Sequence, residues 1–92
     1  METLMLSKKV QIQNKRGLHA RASAKFVTLA SRFDANVRVS KDGAEVTGTS
    51  IMGLMMLAAA IGEEITINAS GPQAQEALEA LVALVEARFD EE

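Results

Sequence analysis

The sequence predicts an α+β fold in which helices cover one face of a mainly antiparallel sheet. Three observations indicate this class. Short runs alternate polar and apolar residues, as strands with one buried face do. Two longer runs repeat apolar residues at intervals of three and four, as amphipathic helices do. An Asp-Gly pair separates two adjacent strand-like runs. Turn signals order the elements as β-α-β-β-α-β-α, in a single domain spanning residues 1–92.

The first strand is predicted from Leu4 to Ile12, because polar and apolar residues roughly alternate and Leu6, Val10 and Ile12 share one face. Asn14 to Gly17 then interrupt the alternation. A helix is predicted from Ala20 to Phe33, since apolar residues recur there at helical spacing. Its core-facing stripe comprises Ala22, Phe26, Leu29, Ala30 and Phe33.

A tight hairpin is predicted at Lys41-Asp42-Gly43-Ala44. Val37 and Val39 precede this segment and Val46 follows it, so an Asp-Gly pair lies between two β-prone runs. Such a pair favours a two-residue turn of the primed type, in which both central residues have positive φ. Strands two and three are therefore expected to be antiparallel neighbours, whereas periodicity leaves the other pairings open.

The second half of the chain predicts a short helix, a strand and a long helix. Thr49-Ser50 precedes the short helix, which is expected to end near Gly62. The last strand covers Glu64 to Ala69. The last helix begins at Ser70-Gly71-Pro72, where proline suits a first turn that needs no N–H. The stripe of this helix comprises Ala74, Ala77 or Leu78, Leu81, Val85 and Phe89.

Composition excludes several classes of function. The absence of cysteine excludes a disulfide framework and thiolate chemistry, and one histidine without cysteine argues against a zinc site. A net charge of −2 gives no general attraction to nucleic acid. The longest apolar run, Ile51 to Ile61, is about half of the roughly 20 residues that span a membrane, and the N terminus lacks signal-peptide features. We therefore expect a cytoplasmic protein with no metal, cofactor, nucleic-acid or membrane partner.

The only histidine, His19, lies at a strand-to-helix junction, within Gly17-Leu18-His19-Ala20-Arg21. Unpaired N–H groups and the positive end of the helix dipole gather at a helix N terminus and favour an anion. Arg21 offers a fork-shaped donor for phosphate oxygens, and Gly17 allows close backbone approach. A lone histidine is most often structural, but these neighbours predict a site for a phosphoryl group.

Further basic residues, Lys15, Arg16 and Lys25, lie close to the histidine in the sequence. Each alone could equally belong to a solvated rim, but together at a helix N terminus they form a credible anion site. A serine-histidine hydrolase is the competing enzymatic interpretation, because Ser23 lies near His19. It fits poorly, since the sequence has no nucleophile elbow or other signature of a catalytic triad.

Ser50 and the apolar residues after it form a second motif. A serine before a short helix is most simply an N-cap. The large apolar residues that follow could be core, but a short helix can bury only one side, so some should face outward. Methionine adapts to several partners, which suits a docking surface. The residues concerned are Ile51, Met52, Met55 and Met56.

These motifs resemble those of the histidine-containing phosphocarrier proteins of the bacterial phosphotransferase system, HPr, and of their nitrogen-branch relatives, NPr. Gly17-Leu18-His19-Ala20-Arg21 is similar to the family's active-site motif and Ser50-Ile51-Met52-Gly53-Leu54-Met55 to its regulatory-serine segment. Residues 64–72 are similar to its last strand and turn, so the resemblance covers nearly the whole chain. It implies an open-faced β-sandwich whose four antiparallel strands run in the order 1-4-2-3, with three helices on one face.

The resemblance also implies a phosphoryl carrier rather than an enzyme, acting as a monomer. His19 would be phosphorylated on Nδ1 by phospho-enzyme I, which is charged from phosphoenolpyruvate, and would pass the group to a IIA-type protein. Arg21 would stabilise the phosphate. Ala22 stands where the family usually has proline, which leaves one more amide at the helix start. The remaining residues expected around the phosphate are Gly17, Ala20, Lys15, Arg16 and Lys25.

The resemblance gives Ser50 a second role, as the target of a dedicated HPr kinase, which becomes a candidate partner. A phosphate on Ser50 would suit the helix N terminus but would add negative charge to the partner-binding surface. By the resemblance, Leu54 and Leu57 point inward. The docking residues are Ile51, Met52 and Met55.

Residues 71–73 and the ending 89–92 look like the nitrogen-branch protein, whereas the Ser50 segment looks more like the sugar-branch protein. This mixture favours a carrier in a mainly regulatory relay. The alternative is a regulatory adaptor that binds partner proteins without phosphorylation at histidine.

Overall fold

The computed structural model describes residues 5–91 and contains the predicted elements in the predicted order. A short 3-10 turn, Arg88–Asp90, follows the last helix. The predicted strand start at Leu4, and the ends of the predicted domain at residues 1–4 and 92, lie outside the described residues. The strands are β1 (Met5–Gln11), β2 (Asn36–Lys41), β3 (Ala44–Thr47) and β4 (Glu64–Ser70), and the helices are α1 (Ala20–Ala30), α2 (Ile51–Leu57) and α3 (Ala74–Glu86).

The four strands form one antiparallel sheet in the order β1-β4-β2-β3, which confirms the expected α+β fold. Central strand β4 pairs with β1 on one side and with β2 on the other, for example through Ile67, which lies opposite Lys8 and Val39. Burial alternates along β4, where Ile65 and Ile67 are buried and Thr66 is not. The sheet therefore has one face on the core, and α3 packs against β1, β4 and β2.

The predicted hairpin turn is confirmed. Lys41 pairs with Ala44, and the two residues between them have positive φ, +51° at Asp42 and +86° at Gly43. Positive φ at both central positions is the conformation that the Asp-Gly pair favours.

Helix α2 ends at Leu57, so the predicted end near Gly62 is wrong by more than one turn. Ala58 adopts a left-handed conformation with φ of +54°, and its N–H donates to the carbonyl of Met55, which closes the helix. Ala59 is then buried in the loop that leads to β4. Tertiary packing of this loop has overridden the helical propensity of the alanine run.

The ends of the two long helices also differ from prediction. Helix α1 stops at Ala30, before Phe33, and α3 begins at Ala74, so Pro72 lies before the helix rather than in its first turn. The side chain of Gln73 explains this start, because its oxygen accepts a hydrogen bond from the N–H of Asp34 at 2.7 Å. The segment before α3 is thus held by the loop that follows α1.

Phe89 is fully buried, as expected, but it lies beyond the end of α3, so its predicted place on the last helix is wrong. Helix α3 ends at Glu86, and the chain then turns so that the phenyl ring still reaches the core. None of the helices between residues 5 and 91 has the length and apolar character of a transmembrane span.

Candidate functional site

His19 is the N-cap residue of α1, as its position in the sequence predicts. Its backbone is extended, with φ of −74° and ψ of −179°, and its carbonyl accepts the N–H of Ser23 at 2.9 Å. Its Nδ1 accepts the N–H of Arg21 at 3.3 Å. The imidazole therefore lies among the free amides of the first helical turn, where partial positive charge is concentrated.

The loop that holds His19 depends on a close backbone contact at Gly17. Gly17 has φ of +62°, and a Cβ atom there would lie 2.2 Å from the carbonyl oxygen of Ala59. The same oxygen accepts the N–H of Leu18 at 3.0 Å, while the N–H of Gly17 donates to the backbone carbonyl of Asn14 at 3.2 Å. Gly17 thus shapes the loop, and its own N–H is used within the turn.

The predicted basic residues come together beside His19. Lys15, Arg16, Arg21 and Lys25 line an open concavity of about 400 Å³, and the acidic residues Asp90 and Glu91 complete its rim. Within this concavity, Lys25 donates from Nζ to the backbone carbonyl of Phe89 at 2.7 Å, so it also anchors the C-terminal turn. The structure therefore provides an exposed, mainly cationic surface next to the imidazole.

The sequence interpretation missed Glu91, whose side chain contacts His19. One carboxylate oxygen, Oε2, is hydrogen-bonded to Nε2 of the imidazole, and the other, Oε1, accepts from Nδ2 of Asn14 at 3.0 Å. Burial raises the pKa of the Glu91 carboxyl. The net effect is nevertheless a pKa below the ordinary value for glutamate. The carboxylate is stabilised by hydrogen bonds from Asn14 and His19, and by positive charge at His19 and Arg16. His19 and Glu91 are 72 residues apart, and no local pattern connects them.

Ser50 is an N-cap, as expected, because its Oγ accepts the N–H of Gly53 at 2.9 Å. Helix α2 buries Leu54 and Leu57 and packs against α1. Its outer side carries an apolar surface whose residues are Ile51, Met52, Met55 and Met56, with exposed fractions of 40%, 71%, 40% and 77%. This surface fits the prediction that part of the helix faces outward.

Sequence comparison identifies the protein family to which this chain belongs. A family model described as "PTS HPr component phosphorylation site" matches residues 6–87. The chain belongs to the HPr family. It is 52% identical to phosphocarrier protein HPr of Cupriavidus necator, over 95% of this chain and 98% of the relative. It is 44% identical to phosphocarrier protein NPr of Shewanella violacea, over 94% of each chain. The crystal structure of HPr-C-His from Thermoanaerobacter tengcongensis superposes with a TM-score of 0.90 at 42% identity, over 95% of this chain and 98% of that one.

HPr proteins are phosphocarriers of the phosphotransferase system and not enzymes. The surface beside His19 is an open concavity, as a carrier requires. Ser23 is fully buried and donates from Oγ to the carbonyl of Leu18 at 3.2 Å, a structural contact that gives no support to the hydrolase interpretation. Between residues 5 and 91, no cluster of three or more histidine, cysteine or acidic side chains could hold a metal ion.

Ala22, which stands where the HPr family usually has proline, is also fully buried. Helix α1 begins at Ala20 and runs regularly through this position. The alanine is therefore compatible with the helix start that presents His19.

Proposed function

We propose that this HPr-family protein accepts a phosphoryl group on Nδ1 of His19 from phospho-enzyme I and passes it to a IIA-type protein. The observation that carries this proposal is the position of the imidazole, which caps α1 beside a concavity lined by four basic residues. Nδ1 would attack phosphorus as the bond from phosphorus to the donor breaks. The N–H of Arg21, which now contacts Nδ1, could then donate to a phosphoryl oxygen.

The openness of the site suits a carrier. Donor and acceptor must each reach the same nitrogen in turn, and a shallow surface permits both. Arg21 is exposed and can meet phosphate oxygens with its guanidinium fork, while Lys15 and Arg16 add charge at the rim. The chain would supply the nucleophile and the docking face, and its partners would supply the rest of the transition state.

The proposed relay is regulatory and of the nitrogen type, with a monomeric carrier in the cytoplasm. The match to an NPr protein and the NPr-like residues 71–73 support this branch. The match to HPr of Cupriavidus necator leaves the sugar branch as the competing outcome.

Incubation with phosphoenolpyruvate, Mg²⁺ and enzyme I tests the proposed carrier function. We expect one phosphate per chain that is labile in acid and stable in base, with a 31P signal typical of an Nδ1 phosphoramidate. Mixing the charged protein with a nitrogen-type and with a sugar-type IIA protein then identifies the branch by the faster transfer. Tight binding to partners without any acid-labile phosphate would instead support the adaptor alternative.

We further propose that Ser50 is a regulatory phosphorylation site next to the docking residues Ile51, Met52 and Met55. Its hydroxyl caps α2, and the exposed apolar side chains begin at the next residue. A phosphate at this position would place about two negative charges on an apolar docking surface. An HPr kinase is the partner that this proposal requires.

The Ser50→Asp variant should bind enzyme I about tenfold more weakly than wild type, because aspartate keeps the N-cap but adds a negative charge to the surface. The Ser50→Asn variant is the matched control, since asparagine also caps a helix and carries no charge. Titration calorimetry with enzyme I measures both affinities. Equal affinities of the Asp and Asn variants would contradict charge-based regulation at this site.

A further inference from the structure

The C-terminal turn brings a carboxylate onto the imidazole of His19. We propose that Glu91 is a positioning residue for His19: its carboxylate holds the ring proton on Nε2 and leaves the lone pair of Nδ1 directed at the start of α1. This inference rests on the proposed function, because it explains which nitrogen accepts the phosphoryl group.

The backbone conformation after α3 is what places Glu91 there. Arg88, Phe89 and Asp90 have φ of +59°, +53° and +59°, so three consecutive non-glycine residues are left-handed. Such a conformation is unfavourable and persists only where other contacts over-determine it. Here the side chain of Phe89 is fully buried, and its carbonyl accepts the hydrogen bond from Lys25. The turn is therefore fixed from both the core and α1.

Asn14 holds the carboxylate from the other side. The residue is 1% exposed, and its Nδ2 donates both to the carbonyl of Gly17 at 2.9 Å and to Oε1 of Glu91 at 3.0 Å. The amide is thus tied to the loop that carries His19. Because its two oxygens have different partners, the Glu91 carboxylate has a defined orientation towards the ring.

The chemistry of these contacts determines the tautomer. An ionised carboxylate can only accept hydrogen bonds, so Nε2 must carry the proton that it shares with Glu91. In a neutral imidazole the other nitrogen then has the free lone pair. The N–H of Arg21, which donates to Nδ1, selects the same tautomer from the opposite side of the ring. A carboxylate that binds the far nitrogen also fixes the orientation of the ring, as it does for histidines that ligate metals.

The test compares Glu91→Ala with wild type, and with Glu86→Ala as the matched control. Glu86 is an exposed glutamate at the end of α3 and lies outside the site, so its replacement removes the same charge without touching His19. The first readout is the Hε2 proton of His19 in 15N-labelled protein, at a pH where the ring is neutral. We expect an exchange-protected Hε2 resonance in wild type and in Glu86→Ala, and its loss in Glu91→Ala. Equal protection in all three proteins would overturn the inference.

The second readout is phosphoryl transfer from enzyme I. We expect Glu91→Ala to lower the maximal rate by about tenfold, the lower end of the effect of losing an orienting partner. KM for the carrier should stay unchanged, because the proposed docking residues lie on α2 and not at Glu91. A higher KM with an unchanged maximal rate would overturn the positioning role.

The two readouts separate failure of this inference from failure of the proposed function. If wild type takes up phosphate but Glu91→Ala matches it in rate and in Hε2 exchange, the positioning role is wrong and the carrier function stands. If wild type takes up none while Hε2 protection still depends on Glu91, the carrier function is wrong, whereas Glu91 still determines the tautomer of His19.

Discussion

Replacing His19 with asparagine should abolish the acid-labile phosphate while leaving the fold intact. Asparagine is a good N-cap, so it can replace the contact that Nδ1 of His19 makes with the N–H of Arg21. It has no imidazole, and its amide nitrogen is not a nucleophile at neutral pH. The expected result is a variant with a free energy of unfolding close to that of wild type and no phosphate uptake from enzyme I.

His19→Ala is the companion variant, because it removes the imidazole and the cap together. We expect it to lose phosphate uptake as well and, in addition, about 1 kcal/mol of stability. Urea unfolding and phosphate incorporation, measured on the same preparations, separate the two effects. Acid-labile phosphate on either variant would show that His19 is not the acceptor.

Replacing Gly17 with alanine should destabilise the protein strongly and distort the site. The new Cβ would lie 2.2 Å from the carbonyl oxygen of Ala59, and the backbone has φ of +62°, where side chains are strained. Relief of this clash must move the loop that carries His19 away from Ala59. We expect a loss of about 3 kcal/mol in the free energy of unfolding. The rate of phosphate uptake should fall roughly tenfold or more, because small displacements of a reacting group are costly.

Gly43→Ala provides the matched control for this substitution. Gly43 also has positive φ, +86°, but a Cβ atom there would meet nothing within 4 Å. This variant therefore measures the cost of the backbone conformation alone. We expect its free energy of unfolding to fall by about 1 kcal/mol and its phosphate uptake to stay unchanged. Similar losses of stability in the two variants would show that the contact with Ala59 does not govern the loop.

Local signals predicted most of the fold. The Asp42-Gly43 turn followed from the conformational preference of two adjacent residues, and the start of α1 followed from the change of periodicity before Ala20. The ends of the helices were less predictable. Ala58 ends α2 because the next residues pack in a loop against Gly17 and Leu18, and Gln73 precedes α3 because its side chain binds the backbone of Asp34. Contacts between distant segments decided both positions.

The order of the elements, the family resemblance and the position of His19 at a helix start could be predicted, because each depends on neighbouring residues. Which side chains share the site depends on tertiary contacts. Glu91 reaches His19 through three left-handed residues that the buried ring of Phe89 and the Lys25 hydrogen bond hold in place. Asn14, 77 residues away in the sequence, contacts the same carboxylate. Such contacts depend on how the packed core brings distant segments of the chain together, and no periodicity or local motif encodes that arrangement.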